Sequence, residues 1–295
     1  MIRRLALGVL LLLGACGPTE EERVRGEKAE IAARVTRLSR RMATRMATAD
    51  ENSPLLRWVL PVELREISGI VLVRDSSVLA HADERGHVAE INFRTGVMVK
   101  RFDLGERTVS GDFEGITRVG ANIFMMTSKA VIFRFGEVAD KGHAGFEKID
   151  TGLAKECEFE GIAHDSVLNA LLLPCKFPRK ALRDSLVIFR IPLDGAGGQS
   201  RLTVPIDDVV AENDWKTFSP SDITIDPFTG NYVLVSAREN GLVVVTPDGE
   251  VVMSRPLPAN LTHVEGIAIT MDRLLLLSAE AGAAPPTITA FPWYP

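Results

Sequence analysis

Basic charge and aromatic side chains are both scarce in this chain of 295 residues. It has 34 Lys and Arg against 39 Asp and Glu, a formal net charge of −5, and only 6% of its residues are aromatic. Proteins that bind nucleic acids favour a basic face, and many stack bases on aromatic rings. We therefore expect no nucleic-acid partner.

Short catalytic motifs are missing as well. The sequence has no G-x-S-x-G, H-E-x-x-H or P-loop motif and no dinucleotide-binding fingerprint. Its five histidines are scattered, and only His164 and His263 fall near the repeated segments described below. Nucleophilic catalysis has little support from these patterns, and the sequence leaves open whether the protein is an enzyme.

Apolar runs that could cross a bilayer, which takes about 20 residues, are also missing. The run Leu5–Leu13, which follows Arg3 and Arg4, has the anatomy of a secretory signal. It leads into the tetrapeptide LGAC, which ends at Cys16 and resembles the bacterial lipobox. This resemblance implies a lipoprotein signal peptide over residues 1–15 and a lipid on Cys16. The alternative is an ordinary signal peptide with an incidental cysteine.

A lipid on Cys16 implies a protein that is anchored in the cell envelope and faces the periplasm without crossing the bilayer. Gly17 stands where an aspartate retains some lipoproteins in the inner membrane, which favours the outer membrane. Its partners would then be the membrane itself and an envelope protein or small-molecule ligand.

Two further cysteines, Cys157 and Cys175, would lie in an oxidising compartment, where an even number of thiols predicts a disulfide. If the chain turns near Ser166, these two cysteines lie directly opposite each other on antiparallel strands. Such residues have Cβ atoms about 4.5–5.5 Å apart, which a modest adjustment brings to bridging distance. The alternative is a pair of free thiols packed in the sheet.

Residues 19–50 have no proline and one glycine. Apolar side chains recur there at spacings of three and four, the pattern of one face of a helix; they are Ile31, Val35, Leu38, Met42 and Met46. We interpret residues 16–50 as a lipidated N-terminus followed by a solvated helical spacer. A coiled coil or a docking helix is the alternative.

Five similar segments recur within residues 51–295. Their central isoleucines stand 46, 46, 61 and 44 residues apart, at Ile70, Ile116, Ile162, Ile223 and Ile267. Each is followed by two apolar strands, and the first four units end in a more polar strand. Four strands per unit at about 45 residues is typical of a β-propeller blade. We predict an all-β, five-bladed propeller; an open β-sandwich or a six-bladed ring is the alternative.

The fifth unit lacks a closing strand, whereas the segment LLRWVLP at residues 55–61 belongs to no unit. We predict that this N-terminal segment completes the fifth blade, which would close the ring and remove its exposed edges.

The recurring tetrads, as in DFEGITRV, EFEGIAHD and HVEGIAIT, resemble the SdiA-regulated family of bacterial envelope proteins. This family consists of propellers held at a membrane and related in shape to NHL-type propellers. Its biochemical role is poorly defined, and calcium binding is suspected within it. The resemblance covers about residues 55–295 and implies a fold more than a function.

Equivalent positions on the first strand of each blade form a ring around the propeller axis. Two residues before each isoleucine, the ring has Ser68, Glu114, Glu160, Ser221 and Glu265, and Asp222 replaces the glycine of the fourth unit. Three converging carboxylates repel one another unless a cation, shared protons or basic partners offset the charge. Oxygen ligands of this kind suit Ca²⁺, so we predict a calcium site at Glu114, Glu160 and Glu265. The alternative is that each glutamate accepts backbone hydrogen bonds from a neighbouring blade.

A second ring is expected where the second strands end. Its members carry mixed charge and are Asp83, Lys129, Lys176, Arg238 and Glu280. Together with Ser68, Ser221 and Asp222, these residues are candidates for binding a polar or anionic ligand. They could equally neutralise the glutamates through ion pairs.

Two functions fit these patterns. The first is a membrane-anchored, extracytoplasmic module that binds a ligand or a protein, with Ca²⁺ on the propeller axis. The second is a metal-dependent hydrolase of phosphate esters or lactones, in which the cation activates water. The lipid anchor and the missing catalytic motifs favour the first.

The anchor can be tested by changing Cys16 to Ser. Because the thiol is the acceptor of the lipid, we expect the variant to lose labelling by radioactive palmitate and to move from the membrane fraction to the soluble fraction. A variant that still labels and sediments with membranes would show that the lipobox interpretation is wrong.

Overall fold

A computed structural model describes residues 19–195 and 198–294. The predicted signal peptide and Cys16 lie outside these residues. The described chain forms five sheets arranged as the blades of a propeller, together with two α-helices, α1 (Glu20–Met46) and α2 (Ile206–Val210). No helix in this part of the chain is both long and apolar enough to span a membrane. The predicted all-β, five-bladed propeller is confirmed.

The strands follow the predicted units, with the innermost strand of each blade first. The N-terminal strand is β1 (Leu56–Val59). Blade 1 has β2 (Ile67–Arg74), β3 (Ser77–Ala82), β4 (His87–Asn92) and β5 (Val97–Leu104). Blade 2 has β6 (Phe113–Val119), β7 (Asn122–Thr127), β8 (Val131–Gly136) and β10 (Phe146–Asp150), and β9 (His143–Ala144) joins blade 1.

The remaining blades have the same order. Blade 3 has β11 (Cys157–Phe159) and β12 (Ala163–Asp165), then β13 (Ala170–Pro178), β14 (Ser185–Pro192) and β15 (Ser200–Pro205). Blade 4 has β16 (Asp222–Ile225), β17 (Tyr232–Ser236), β18 (Gly241–Val245) and β19 (Val251–Pro256). Blade 5 has β20 (Val264–Ile269), β21 (Leu274–Ala279) and β22 (Thr287–Pro292). Short 3₁₀ helices cover Val62–Leu64, Leu153–Lys155 and Lys180–Leu182.

The ring closes as predicted, because β1 pairs antiparallel with β22 and becomes the outer strand of blade 5. Trp58 on β1 reinforces this closure. Its indole Nε1 donates to the carbonyl of Phe93 in blade 1 at 2.8 Å, and its ring lies against Gly96, where a Cβ would be 2.5 Å from the indole. The last blade is therefore tied to the first.

The glycines of the repeat allow the inner strands to meet at the axis. A Cβ placed on Gly115 would be 2.8 Å from the backbone of Gly161, and one on Gly161 would be 2.6 Å from the Cα of Asp222. Likewise, a Cβ on Gly266 would be 3.2 Å from the Cα of Gly69. At these three positions neighbouring blades touch through backbone, at a spacing that leaves little room for a Cβ on the glycine.

Asp222 is the one member of this glycine ring that has a side chain, and it joins three blades. The residue is only 2% exposed. Its carboxylate accepts from the backbone N–H groups of Ile223 and Ile267 at 2.8 Å each. It also accepts a backbone hydrogen bond from Ile162. Backbone hydrogen bonds between blades were the alternative role expected of the glutamates, and here Asp222 accepts them.

Helix α1 begins with a capping box: the Thr19 hydroxyl accepts from the Glu22 N–H at 3.2 Å, and the Glu22 carboxylate accepts from the Thr19 N–H at 2.8 Å. Burial then increases along the helix. Ile31 is 48% exposed, whereas Met42 is 5% exposed and packs in the core with Leu55. The first half of the helix is thus solvated, as a spacer would be, and the second half docks on the propeller.

A disulfide joins Cys157 to Cys175, with Cα atoms 5.7 Å apart. The predicted pairing is confirmed, but the register from which it was argued is wrong. Cys157 lies opposite Pro178, and Cys175 lies opposite Phe159. A register shift between Glu158 and Phe159 displaces the strands, and the bridge forms between positions that are offset along the pair.

The close approach of the glycines predicts the effect of Gly115→Ala. The new Cβ would meet backbone that cannot rotate away, so we expect the free energy of unfolding in urea to fall by about 1–3 kcal/mol. Gly136→Ala is the matched control, because nothing lies within 4 Å of a Cβ at that position, and it should change stability little. Equal stability of the two variants would contradict the glycine-ring account.

Candidate functional site

β-Bulges occur at the ring residues of three inner strands and affect where their side chains point. In β6 the register with β7 skips Glu114, in β20 it skips Glu265, and in β2 it skips Ser68. An extra residue of this kind is not held in the ladder, so its side chain can be redirected. In blade 3 the inner strand is interrupted between β11 and β12, and Glu160 lies in this gap. A bulge thus occurs at three of the five positions, and a break in the strand occurs at a fourth.

Glu160 and Lys176 form the centre of the site. The Glu160 side chain is only 6% exposed, and its Oε1 pairs with the ammonium of Lys176. Its other oxygen, Oε2, is buried and has no hydrogen-bond partner in the described chain. Beside it, the Glu114 carboxylate accepts from the Ser68 hydroxyl at 3.2 Å. A buried acceptor without a donor is costly, so a bound group that supplies one would be stabilised there.

The three glutamates hold protons more tightly than ordinary carboxyls. Burial raises the pKa of Glu114 to about 9, and the nearby charges of Glu160 and Asp112 add to the increase. Burial, with Glu160, raises the pKa of Glu265 to about 8. Burial also raises the pKa of Glu160 to about 7, although its bond to Lys176 opposes the increase. At neutral pH the site therefore contains carboxylic acids as well as carboxylates.

Lys176 provides the positive charge of the site. Burial lowers its pKa, but the carboxylates of Glu160, Glu265 and Glu114 outweigh this effect, and the pKa is raised overall. Of the second ring, Lys176 is thus the member that the fold brings among the glutamates. It offsets part of the repulsion for which the sequence analysis expected a cation.

The three glutamates are not grouped as a metal-ligand cluster. Within residues 19–195 and 198–294, no three His, Cys, Asp or Glu side chains converge as metal ligands. One oxygen of Glu160 is paired with the ammonium of Lys176, while the other is unpartnered. The calcium site at Glu114, Glu160 and Glu265 stays a prediction from the sequence.

Further acids surround the centre on the same face. Burial raises the pKa of Asp83, and the charge of Glu66 contributes. Burial also raises the pKa of Glu280; Asp83 and Glu66 add to the increase, while His263, with its Nδ1 3.4 Å from the Glu280 carboxylate, opposes it. Asp83 and Glu280 of the second ring therefore belong to the same electrostatic network as the glutamates.

The remaining predicted residues are not brought to the centre. Ser221 is buried and donates to the carbonyl of Val264 at 2.5 Å, so, like Asp222, it joins blades. Arg238 has a largely exposed side chain, with Glu239 as its nearest ion-pair partner at 3.8 Å. Lys129 is exposed and lines a separate hollow next to Asp112.

Beyond the glutamates the repeat isoleucines surround the axis. The five repeat isoleucines are 1–2% exposed, and with the residues that follow them they line a cavity of about 200 Å³. The buried glutamates are thus separate from this cavity, whose lining includes Arg118 and His164. The bulges at the ring residues could not be predicted, because a bulge leaves no mark on the apolar pattern of a strand.

The raised pKa values predict that stability falls as pH rises. Between the ordinary value of 4.5 and about 9 for Glu114, the folded state holds a proton that the unfolded state has lost. This contribution to the free energy of unfolding is fully present below pH 4.5 and is lost as pH approaches 9. The free energy changes by about 1.4 kcal/mol per pH unit for each proton held. Glu114→Gln, which mimics the protonated acid, should reduce the loss of melting temperature over this range.

Glu250→Gln is the control for this measurement, because Glu250 is exposed in a turn far from the axis. It should retain the pH dependence of the unchanged protein. If Glu114→Gln also retained it, burial of Glu114 could not be its source.

Comparison with known proteins supports the fold. No protein-family model matches the sequence, and no curated protein matches it. The solved structure of glutaminyl cyclase from Myxococcus xanthus is similar, with a TM-score of 0.57 at 10% identity over 81% of this chain and 94% of that one.

Two other enzymes are similar to a comparable extent. The luciferin-regenerating enzyme has a TM-score of 0.51 at 8% identity, covering 82% of this chain and 98% of that one. The aldose sugar dehydrogenase of Streptomyces coelicolor, bound to PQQ, has a TM-score of 0.50 at 12% identity, covering 83% and 99%. At such low identity these likenesses establish that the chain has the β-propeller fold, which other proteins use for different chemistries.

Proposed function

We propose that this protein is an extracytoplasmic lipoprotein, held at a membrane by a lipid on Cys16, whose propeller binds a small ligand at the axial site. The ligand carries a positively charged, hydrogen-bond-donating group such as a primary ammonium. The observation that carries the proposal is the unpartnered Oε2 of Glu160, buried among Glu114, Glu265 and Lys176.

The chemistry of the site supports a donor as the occupant. Glu160 Oε2 needs a hydrogen-bond donor, and the carboxyls of Glu114 and Glu265 gain from a positive charge beside them. Lys176 holds the other oxygen of Glu160 and so fixes the direction in which the free oxygen points. Because the surrounding acids Asp83 and Glu280 have the same sign, the mouth of the site attracts cations over anions.

A role in binding has more support than catalysis. The axial site has a buried carboxylate oxygen that lacks a hydrogen-bond donor, which supports binding directly. The similar structures include enzymes, but fold likeness at this identity is no argument for an activity. The metal-dependent hydrolase of phosphate esters or lactones remains the alternative, and a Ca²⁺ site on the axis remains a prediction from the sequence.

The proposal is tested by calorimetric titration of the full chain with cadaverine and, separately, with CaCl₂ after treatment with chelator. We expect cadaverine to bind, and Glu160→Gln to weaken its binding by about tenfold, or 1.4 kcal/mol. The Glu250→Gln control should bind as the unchanged protein does. Binding of CaCl₂ in place of the amine would support the calcium site.

Two results would contradict the binding proposal. One is failure of both probes to bind. The other is hydrolysis of generic phosphate esters or lactones that is lost on adding chelator and in Glu160→Gln, which would establish the alternative.

A further inference from the structure

A second cavity lies away from the axis, beside the outer strands β4 and β5 of blade 1. It has a volume of about 440 Å³, within the range of about 300–1,000 Å³ that is usual for ligand sites. Three separate segments build it: the 3₁₀ helix Val62–Leu64, the facing ends of β4 and β5, and the loop that runs through Lys141 into β9. We call this cavity the blade 1 pocket.

The loop that completes the pocket belongs to blade 2 but attaches to blade 1. Its strand β9 pairs parallel with β5, whereas every other strand pair in the described chain is antiparallel. The Lys141 N–H donates to the Arg101 carbonyl at 2.7 Å, and the Asp103 N–H donates to the Gly142 carbonyl at 3.0 Å. The position of the loop is therefore fixed by backbone hydrogen bonds.

Lys141 has a left-handed backbone, with φ of 59°. Residues other than glycine adopt this conformation rarely and at a cost, and such residues are often found at functional sites. Here the conformation turns the chain so that Lys141, Gly142 and His143 all line the pocket.

The floor of the pocket is apolar. Leu64 and Ala89 are 3% and 5% exposed, and Met98 packs against the same core cluster. An apolar group placed on this floor would be removed from water, which stabilises it by roughly 25 cal/mol for each Å² buried.

The rim is polar and carries the acids Glu63 and Asp103 and the cations Arg101 and Lys141. Both oxygens of Asp103 are occupied: one is 2.7 Å from His87 Nδ1, and the other accepts from Thr108 Oγ1 at 2.7 Å. Arg101 has only a loose ion pair with Glu63, at 3.9 Å. In the part of the chain that the structure describes, the Lys141 ammonium has no carboxylate within ion-pairing distance.

We propose that the blade 1 pocket binds a small amphipathic anion, with its apolar body on the floor of Leu64, Ala89 and Met98 and its carboxylate at Arg101 and Lys141. This site is separate from the axial one and has the opposite charge preference. The imidazole of His143, whose Nδ1 lies 3.1 Å from the Gly105 carbonyl, supplies a further polar contact at the rim.

The test compares three probes that share one apolar body: 4-phenylbutyrate, 4-phenylbutanol and 4-phenylbutylamine. Each is titrated calorimetrically into the full chain with excess cadaverine present, so that the amine probe cannot use the axial site. Lipid nanodiscs are added where the anchor requires them, with empty nanodiscs as the blank. We expect 4-phenylbutyrate to bind with a dissociation constant below about 1 mM, and about tenfold more tightly than the other two probes.

Variants then locate the binding. The double variant Arg101→Gln/Lys141→Gln should lower the affinity for 4-phenylbutyrate by about tenfold. Lys155→Gln/Arg183→Gln, which removes the same charge from exposed positions outside the pocket, should not. Lys141→Glu should shift the preference from the carboxylate towards the amine, a change that partial unfolding would not produce.

Several outcomes would overturn the proposal. They are equal affinity for the carboxylate and the amine in the unchanged protein, equal loss of affinity in the two double variants, and no binding of 4-phenylbutyrate or of octanoate at millimolar concentration. Because the axial glutamates are unchanged in all these variants, the cadaverine titration can succeed or fail independently.

Discussion

The contact of backbone with backbone at the axis is the constraint on which the rest of this structure depends. Five inner strands can converge only where side chains are absent, and Gly69, Gly115, Gly161 and Gly266 provide that absence. Asp222, the exception, converts the same position into a hydrogen-bonded joint between blades. The residue before each of these glycines lies in a bulge or, at Glu160, in a break of the strand, which leaves its side chain free of the ladder. The glutamate site is thus a consequence of how the ring closes.

The fold could be predicted because apolar strand segments recur along the sequence at a regular spacing. The spacing of five isoleucines determined the number of blades, and the unmatched segment at residues 55–61 indicated how the last blade is completed. The disulfide could be predicted from the oxidising compartment and from the expected closeness of the two cysteines. The register of their strands could not, because the shift at Phe159 is a local irregularity. The docking of Met42 was likewise hidden, since an apolar stripe does not reveal which half of a helix finds a partner.

The candidate site could be predicted only in part. The sequence placed Glu114, Glu160 and Glu265 on one ring, and it included Lys176 in a second ring without indicating that this lysine alone would reach the carboxylates. The blade 1 pocket could not be predicted at all. It depends on a loop of blade 2 that crosses to blade 1 and on one residue, Lys141, in a left-handed conformation. Contacts between units that are distant in sequence leave no periodic signal.

The pairing of β1 with β22 also determines the order in which the molecule can assemble. Blades 2 to 4 and the four antiparallel strands of blade 1 are each built from one continuous stretch of chain, so each can form as soon as its own residues are available. Blade 5 needs the two ends of the domain at once, and this long-range closure carries the largest entropic cost. Until the C-terminal strand arrives, the edges of blade 5 remain open to other chains. The pairing of β22 with β1 therefore completes the ring and ends the period in which the protein is most exposed to aggregation.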